Sequence, residues 1–253
     1  MKIGAQMYTL RDFCKTLEGL DESLGRVAEI GYRSVQLSGV CPYDAAWMAE
    51  RLKAYGLTCD LTHYDVNKIL HETDQTIKHH DRLGCRYIGL GYSQELQSEE
   101  SFSRFVANLG EPVKKIAASG HKFMYHNHNH EFAKRDGKVL LYHLCDAFAK
   151  EELGITLDCY WAQAGGADSV EVLHKLSGRV ACVHYKDMVY SLDDKAPRMA
   201  AVGQGNMNYE AIIRASYDAG VEFAFVEQDN CYGEDPFVCL KQSYDYLKAQ
   251  GLS

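Results

Sequence analysis

The 253-residue chain carries 27 Lys and Arg against 35 Asp and Glu, a net charge of −8 with histidine neutral. That excess of acid counts against a nucleic-acid binder, whose phosphate contacts come from Lys and Arg; 46% hydrophobic and 25% charged residues exclude general disorder. No apolar run nears the roughly 18 residues of a membrane span, and Met1 to Gln6 reads as a first strand rather than a secretion leader.

Short apolar segments rich in β-branched residues follow one another at Ile3–Tyr8, Ser34–Leu37, Thr58–His63, Tyr87–Gly91, Lys122–His128, Ile155–Asp158, Val180–His184 and Phe223–Glu227. Stretches with helical spacing lie between them, such as Leu17-Leu20-Leu24-Val27-Ile30 and Phe102-Phe105-Val106-Leu109-Val113-Ile116. Glycine precedes several of the strands, at Gly31, Gly56, Gly84, Gly120 and Gly220, where a left-handed helix cap is expected. Strands alternating with helices predict parallel pairing with helical crossovers. Eight such units in about 250 residues match a single (β/α)8 barrel spanning residues 1–253. An open doubly wound sheet is the competitor, but the Gly-rich turn it needs after the first strand is missing. The nine cysteines are scattered with no CxxC pair. They predict free thiols in a reducing, cytoplasmic setting.

In such a barrel the functional residues gather at the C-terminal ends of the strands. The polar residues fall there: His63-Tyr64-Asp65 after the third strand, His126-Asn127-His128-Asn129-His130-Glu131 after the fifth, Asp158, His184, and Glu227-Gln228-Asp229. Period two sends His126, His128 and His130 toward one face of an extended strand. A solvated loop is the plain reading; a metal and proton-transfer cluster is the functional one, because imidazole serves both roles near neutral pH. Asp158, His184 and Glu227 each end an otherwise apolar strand. Acids can simply cap the following helix, but an Asp, a His and a Glu on three successive strand ends suit a divalent metal. Oxygen ligands with imidazole and no thiolate favour Mn²⁺, Mg²⁺, Co²⁺ or Fe²⁺, with catalytic Zn²⁺ also open.

Lys186, two residues past His184, either binds substrate oxygen and developing negative charge or pairs at the surface with Asp187. The stretch Gly203-Gln204-Gly205 reads as a flexible lid or substrate loop, since it lacks the lysine of a P-loop. Tyr8, Tyr160 and Trp161 suit either the walls of a sugar site or core packing. His71, His79, His80, His121, His143 and His174 are expected to be surface or hydrogen-bonded residues without a role.

The segments Gly4-Ala5-Gln6-Met7-Tyr8-Thr9-Leu10-Arg11, Tyr125-His126-Asn127-His128-Asn129-His130-Glu131-Phe132, Leu157-Asp158-Cys159-Tyr160-Trp161, Val183-His184-Tyr185-Lys186-Asp187, Gly203-Gln204-Gly205 and Val226-Glu227-Gln228-Asp229 carry a resemblance. Through them the whole chain resembles the xylose isomerase-like (AP endonuclease family 2) barrels, in their sugar phosphate isomerase/epimerase branch. The resemblance implies one divalent ion, Mn²⁺ first among the candidates, held by Glu, Asp, His and Glu from strands five to eight. Three of these fall on Asp158, His184 and Glu227. The fourth is assigned to Glu131, with His126, which stands where many relatives have the glutamate, as the alternative ligand or a freed base.

The implied reaction is proton abstraction beside a carbonyl of a sugar-like substrate, with His126, His128, Glu131, Glu227 and Lys186 as the candidate catalytic groups. Gln6, His63, Trp161 and Lys186 are the candidate substrate contacts. Return of the proton gives epimerisation or isomerisation; loss of a β-substituent gives a dehydratase or keto-sugar lyase. A phosphodiesterase like the endonuclease relatives is disfavoured by the net charge of −8, and a non-catalytic sugar binder by the intact Asp158, His184 and Glu227. No nucleic-acid or membrane partner is expected; relatives often form dimers or tetramers, which leaves a homo-oligomer open.

Overall fold

The computed structural model describes all 253 residues. Eight parallel strands close into a barrel: β1 (Lys2–Gln6), β2 (Ser34–Leu37), β3 (Thr58–His63), β4 (Tyr87–Leu90), β5 (Lys122–His126), β6 (Leu153–Asp158), β7 (Val180–Tyr185) and β8 (Phe223–Val226). Each strand pairs with its sequence neighbours, and β8 returns to β1 through Lys2↔Phe223 to Ala5↔Val226. Every predicted strand is present, with ends within a few residues of those read from the sequence.

Helices cover the outside: α1 (Leu17–Ile30), α2 (Ala45–Ala54), α3 (Val66–His71), α4 (Thr73–Leu83), α5 (Glu99–Ala118), α6 (Leu140–Ala147), α7 (Cys159–Ala164), α8 (Ser169–Lys175), α9 (Tyr209–Ala219) and α10 (Pro236–Ala249). The apolar stripe of α1 explains its packing, since Leu20, Leu24 and Val27 are fully buried against the barrel. Gly84 and Gly220 end α4 and α9 with φ of 64° and 82°, a left-handed turn that a side chain would strain. The strands β4 and β6 to β8 are buried along their whole length, as a sheet walled by helices on one side and packed inside on the other requires. All nine cysteines are free, and no helix is long and apolar enough to cross a membrane.

Two features differ from the sequence expectation, and one expected hydrogen-bonded histidine, His80, lies inside the wall. A hairpin, Asp187–Ser191 paired with Ala196–Ala200, follows β7; its charged and half-exposed residues hide the alternation that marks a strand. The Gly203 to Gly205 segment is tied down rather than free: Gly203 and Gly205 donate their backbone N–H to Asp187 Oδ2 at 2.9 and 3.0 Å. His80 is fully buried. Its Nδ1–H donates to the Thr76 carbonyl at 2.7 Å and its Nε2 accepts from Thr62 Oγ1 at 2.8 Å, so both ring nitrogens are satisfied within the wall.

Candidate metal centre at the barrel mouth

The ends of β5 to β8 bring His126, Asp158, His184 and Glu227 together, with one ligand atom of each lying within 4.8 Å of the others. All four are buried. Glu131, the expected fourth ligand, is not among them. Its carboxylate accepts from the Tyr125 hydroxyl at 2.7 Å and the His128 backbone N–H at 2.8 Å, with His130 Nε2 3.1 Å away. The chain turns after β5, so an acid five residues past His126 folds back under the loop; His126, the alternative, stands at the fourth corner.

The hydrogen bonds around the two imidazoles decide what the cluster fits. His126 Nδ1 lies 2.8 Å from the Gly91 carbonyl oxygen. A carbonyl only accepts, so the proton is on Nδ1 and Nε2 presents a lone pair. That lone pair faces Asp158 Oδ2 at 3.3 Å. His184 Nε2 donates to Gln36 Oε1 at 2.7 Å. Its Nδ1 faces Glu227 Oε2 at 2.9 Å and Asp158 Oδ2 at 3.6 Å, and neither His184 Nδ1 nor Glu227 Oε2 makes a hydrogen bond. Buried nitrogens and carboxylates this close are costly without positive charge among them, and Lys186 supplies one charge against three carboxylates. Imidazoles pinned on their far nitrogens by a carbonyl and an amide oxygen are the usual outer support of metal-bound histidine. The residues present therefore fit a divalent cation.

The charges agree. Lys186, fully buried after β7, sets Nζ 3.0 Å from Asp158 Oδ2, 2.9 Å from Glu227 Oε2 and 3.0 Å from Asp229 Oδ2. Three carboxylates against one ammonium leave two negative charges when all are ionised. Burial resists ionisation of Asp158 and Glu227, but Lys186 and the neighbouring imidazoles outweigh it and hold both well below the usual carboxylate range. Asp229, the outermost, goes the other way: burial and the charge of Glu227 push it up to about 7. Burial works against protonating His184, yet the Glu227 and Asp158 carboxylates raise it. Burial and the neighbouring His184 lower His126, keeping it neutral. Lys186 is thus no surface partner of Asp187, which binds backbone N–H groups instead.

Above the cluster lies a cleft of about 730 Å³, lined among others by His63, His126, His128, Trp161, Lys186 and Glu227. His63 and His128 flank His126, with ring centroids 5.0 and 4.7 Å from it. His63 Nδ1 meets Ser38 Oγ at 3.1 Å, while His63 Nε2, His128 Nδ1 and Trp161 Nε1 are buried with no partner. Burial, then the nearby imidazoles, pushes His63 well below its ordinary value and His128 down to about 3. Both are neutral. Tyr8 and Tyr92 stand at the rim, 37% and 52% exposed. Gln6 lies under the floor rather than in the cleft wall, its Oε1 accepting the Tyr8 N–H at 3.2 Å. Tyr160 packs edge-on against Trp161, and His130 braces Glu131. The sequence assigns no role to Gln36 or Gly91, and it places Asp229 only within the strand-end group Glu227-Gln228-Asp229.

Comparison with known proteins accords with the barrel fold. The family of xylose isomerase-like TIM barrels matches residues 24–229. No curated protein matches the sequence. Among solved structures, a sugar phosphate isomerase/epimerase from Parabacteroides distasonis superposes with a TM-score of 0.80 at 20% identity, over 98% of this chain and 93% of its own. L-ribulose 3-epimerase follows with a TM-score of 0.77 at 16% identity, over 98% and 94%. The probable 3-DHS dehydratase of petrobactin synthesis from Bacillus anthracis gives 0.75 at 17% identity, over 98% and 99%. At these identities the likeness is one of fold. With four-fifths of its length matched by the family, the chain belongs to the xylose isomerase-like TIM barrels.

Proposed function

We propose that this chain is a divalent-metal-dependent isomerase or epimerase of sugars, working by proton abstraction from the carbon beside a carbonyl. The observation that carries this reading is the pair of inward imidazole nitrogens on His126 and His184, facing Asp158 and Glu227 at the foot of an open cleft. A cation held there, Mn²⁺ foremost and Mg²⁺, Co²⁺, Fe²⁺ or Zn²⁺ as alternatives, would supply Lewis acidity toward two neighbouring substrate oxygens.

The chain's own groups do the rest. His128 lines the cleft with a neutral ring whose buried Nδ1 has no partner, and it is assigned as the base that takes the proton. Glu131 is a positioning residue for it, fixing the turn through the His128 N–H. His63 Nε2, on the far side of His126, is assigned to a substrate hydroxyl or to proton return on the opposite face. Lys186 keeps the carboxylates ionised and lends positive charge where negative charge develops. Trp161 walls the cleft over His128, at a ring distance of 5.6 Å.

A second reading, elimination of water or another β-substituent, has support from the same imidazole flank, since a group that returns a proton to carbon can also protonate a leaving oxygen. One experiment separates the outcomes. Metal-loaded protein in D₂O is incubated with a panel of ketohexoses and ketopentoses and followed by NMR. Deuterium at the carbon beside the carbonyl, with an epimer or isomer accumulating, is expected; an enone or diketo product would favour elimination. Exchange that persists in both Asp158→Ala and Glu227→Ala would refute the site.

A further inference from the structure

Barrels of this architecture frequently bind substrate phosphate with backbone N–H groups of the loops after strands seven and eight. Here the loop after β7 has those donors, and the protein has already filled them. Gly203 and Gly205 donate to Asp187 Oδ2 at 2.9 and 3.0 Å, while Met207 donates to its Oδ1 at 3.2 Å and Met188 at 2.7 Å. Asp187 is fully buried, and a Cβ on Gly205 would come within 2.3 Å of its Oδ1, so the carboxylate fits the cradle closely. It is an internal anion in a nest of N–H groups.

The cleft offers no replacement. Lys186 is the one lysine or arginine that lines it, and its ammonium is engaged by three carboxylates within 3.0 Å. Arg11, near the mouth, is held by the carbonyls of Tyr8 and Asp229 at 3.0 and 2.7 Å and stacks on the Tyr8 ring; it does not line the cleft. Asp65, Glu227 and Asp229 add negative charge to the walls. What the outer cleft does offer is aromatic, in Tyr8, Tyr92 and Trp161.

We infer that the substrate is an uncharged, unphosphorylated sugar or glycoside, whose part remote from the reacting carbons lies on the aromatic rim of Tyr8, Tyr92 and Trp161. This rests on the proton-abstraction reading for the reacting end and adds the chemical class of the remote end.

The test uses metal-loaded protein carrying Trp47→Phe, so that Trp161 is the only tryptophan and its fluorescence reports cleft binding without turnover. Matched pairs (D-fructose and its 6-phosphate, D-ribulose and its 5-phosphate, and the other ketohexoses of the panel with their phosphates) are compared at equal free metal for fluorescence titration and for deuterium exchange. The expected result is binding of the free sugar at least tenfold tighter than its phosphate, a loss of fivefold or more on Tyr92→Ala, and an exchange ratio in the same sense. Asp187→Ala, which bares the N–H donors, should move the ratio toward the phosphate; should that variant not fold, the wild-type pairs still decide. Equal or tighter binding of the phosphorylated partner overturns the inference while leaving proton abstraction standing. Preferential binding of the free sugar with no exchange at all supports the inference and defeats proton abstraction. Binding of neither partner anywhere in the panel counts against the inferred class.

Discussion

Replacing Lys186 by methionine removes the only ammonium from a group of three carboxylates, Asp158 and Glu227 buried and Asp229 partly exposed, while keeping much of the side-chain volume. Breaking a buried ion pair by deleting one partner costs about 3–5 kcal/mol, because the other charge is left uncompensated. The same loss makes the cage a stronger cation trap. At an effective dielectric constant of about 20, two unit charges about 4 Å apart interact by about 4 kcal/mol, so removal of the ammonium should tighten divalent binding well beyond tenfold. Urea denaturation in chelator and in saturating Mn²⁺ reads both effects. In chelator, Lys186→Met should be about 3–5 kcal/mol less stable than wild type. A metal at about 100 times its dissociation constant adds about 2.7 kcal/mol to the wild type, and it should add more to the variant, so that the gap between the two proteins narrows. A gap under about 0.5 kcal/mol in chelator, or a metal increment no larger in the variant than in wild type, would refute the charge balance argued for this cage.

Glu131→Gln keeps a group able to accept the His128 N–H but loses the charge facing His130; one metal per chain should remain while kcat falls about tenfold or more, as metal analysis and exchange kinetics would show. Gly91→Ala places a Cβ 2.7 Å from His63 Nδ1 and disturbs the carbonyl that orients His126, so exchange should drop at least tenfold with the circular dichroism spectrum unchanged. His80, buried and satisfied as a neutral ring, is pushed by burial down to about 3. Its folded value lies below the unfolded one of about 6.5, so the unfolded chain takes up the proton first and stability falls as pH drops below about 6.5. Between pH 7 and 5 this amounts to about 2 kcal/mol, measurable as a steeper decline of urea stability in wild type than in His80→Gln; parallel declines would exclude it. Leu24→Ala, fully buried in α1, should cost about 2–5 kcal/mol with metal content intact.

The barrel was legible because strand and helix periods differ and the glycine caps mark where one gives way to the other. Gly31, Gly56, Gly84, Gly120 and Gly220 all have positive φ, as their places ahead of strands required. The strand-end rule likewise found Asp158, His184 and Glu227, since a charged residue closing an apolar strand has to face the mouth. The fourth corner was harder. His126 closes β5 and Glu131 follows it, and which one faces inward depends on where the strand stops and the chain turns; the structure ends β5 at His126, two residues short of the His128 read from the sequence. Gly91 and Gln36 act through a carbonyl and an amide oxygen on residues far away in sequence, and no local pattern reports such a contact. The hairpin after β7 pairs half-exposed strands whose residues do not alternate cleanly, so its pairing partner, not its composition, makes it a hairpin.

Crystals grown with Mn²⁺ and measured at the manganese absorption edge would locate the cation itself. One anomalous peak per chain is expected, bonded to His126 Nε2, His184 Nδ1 and the carboxylates of Asp158 and Glu227, with Glu131 still on Tyr125. A peak at Glu131, or fully occupied crystals with no peak among those four side chains, would contradict it.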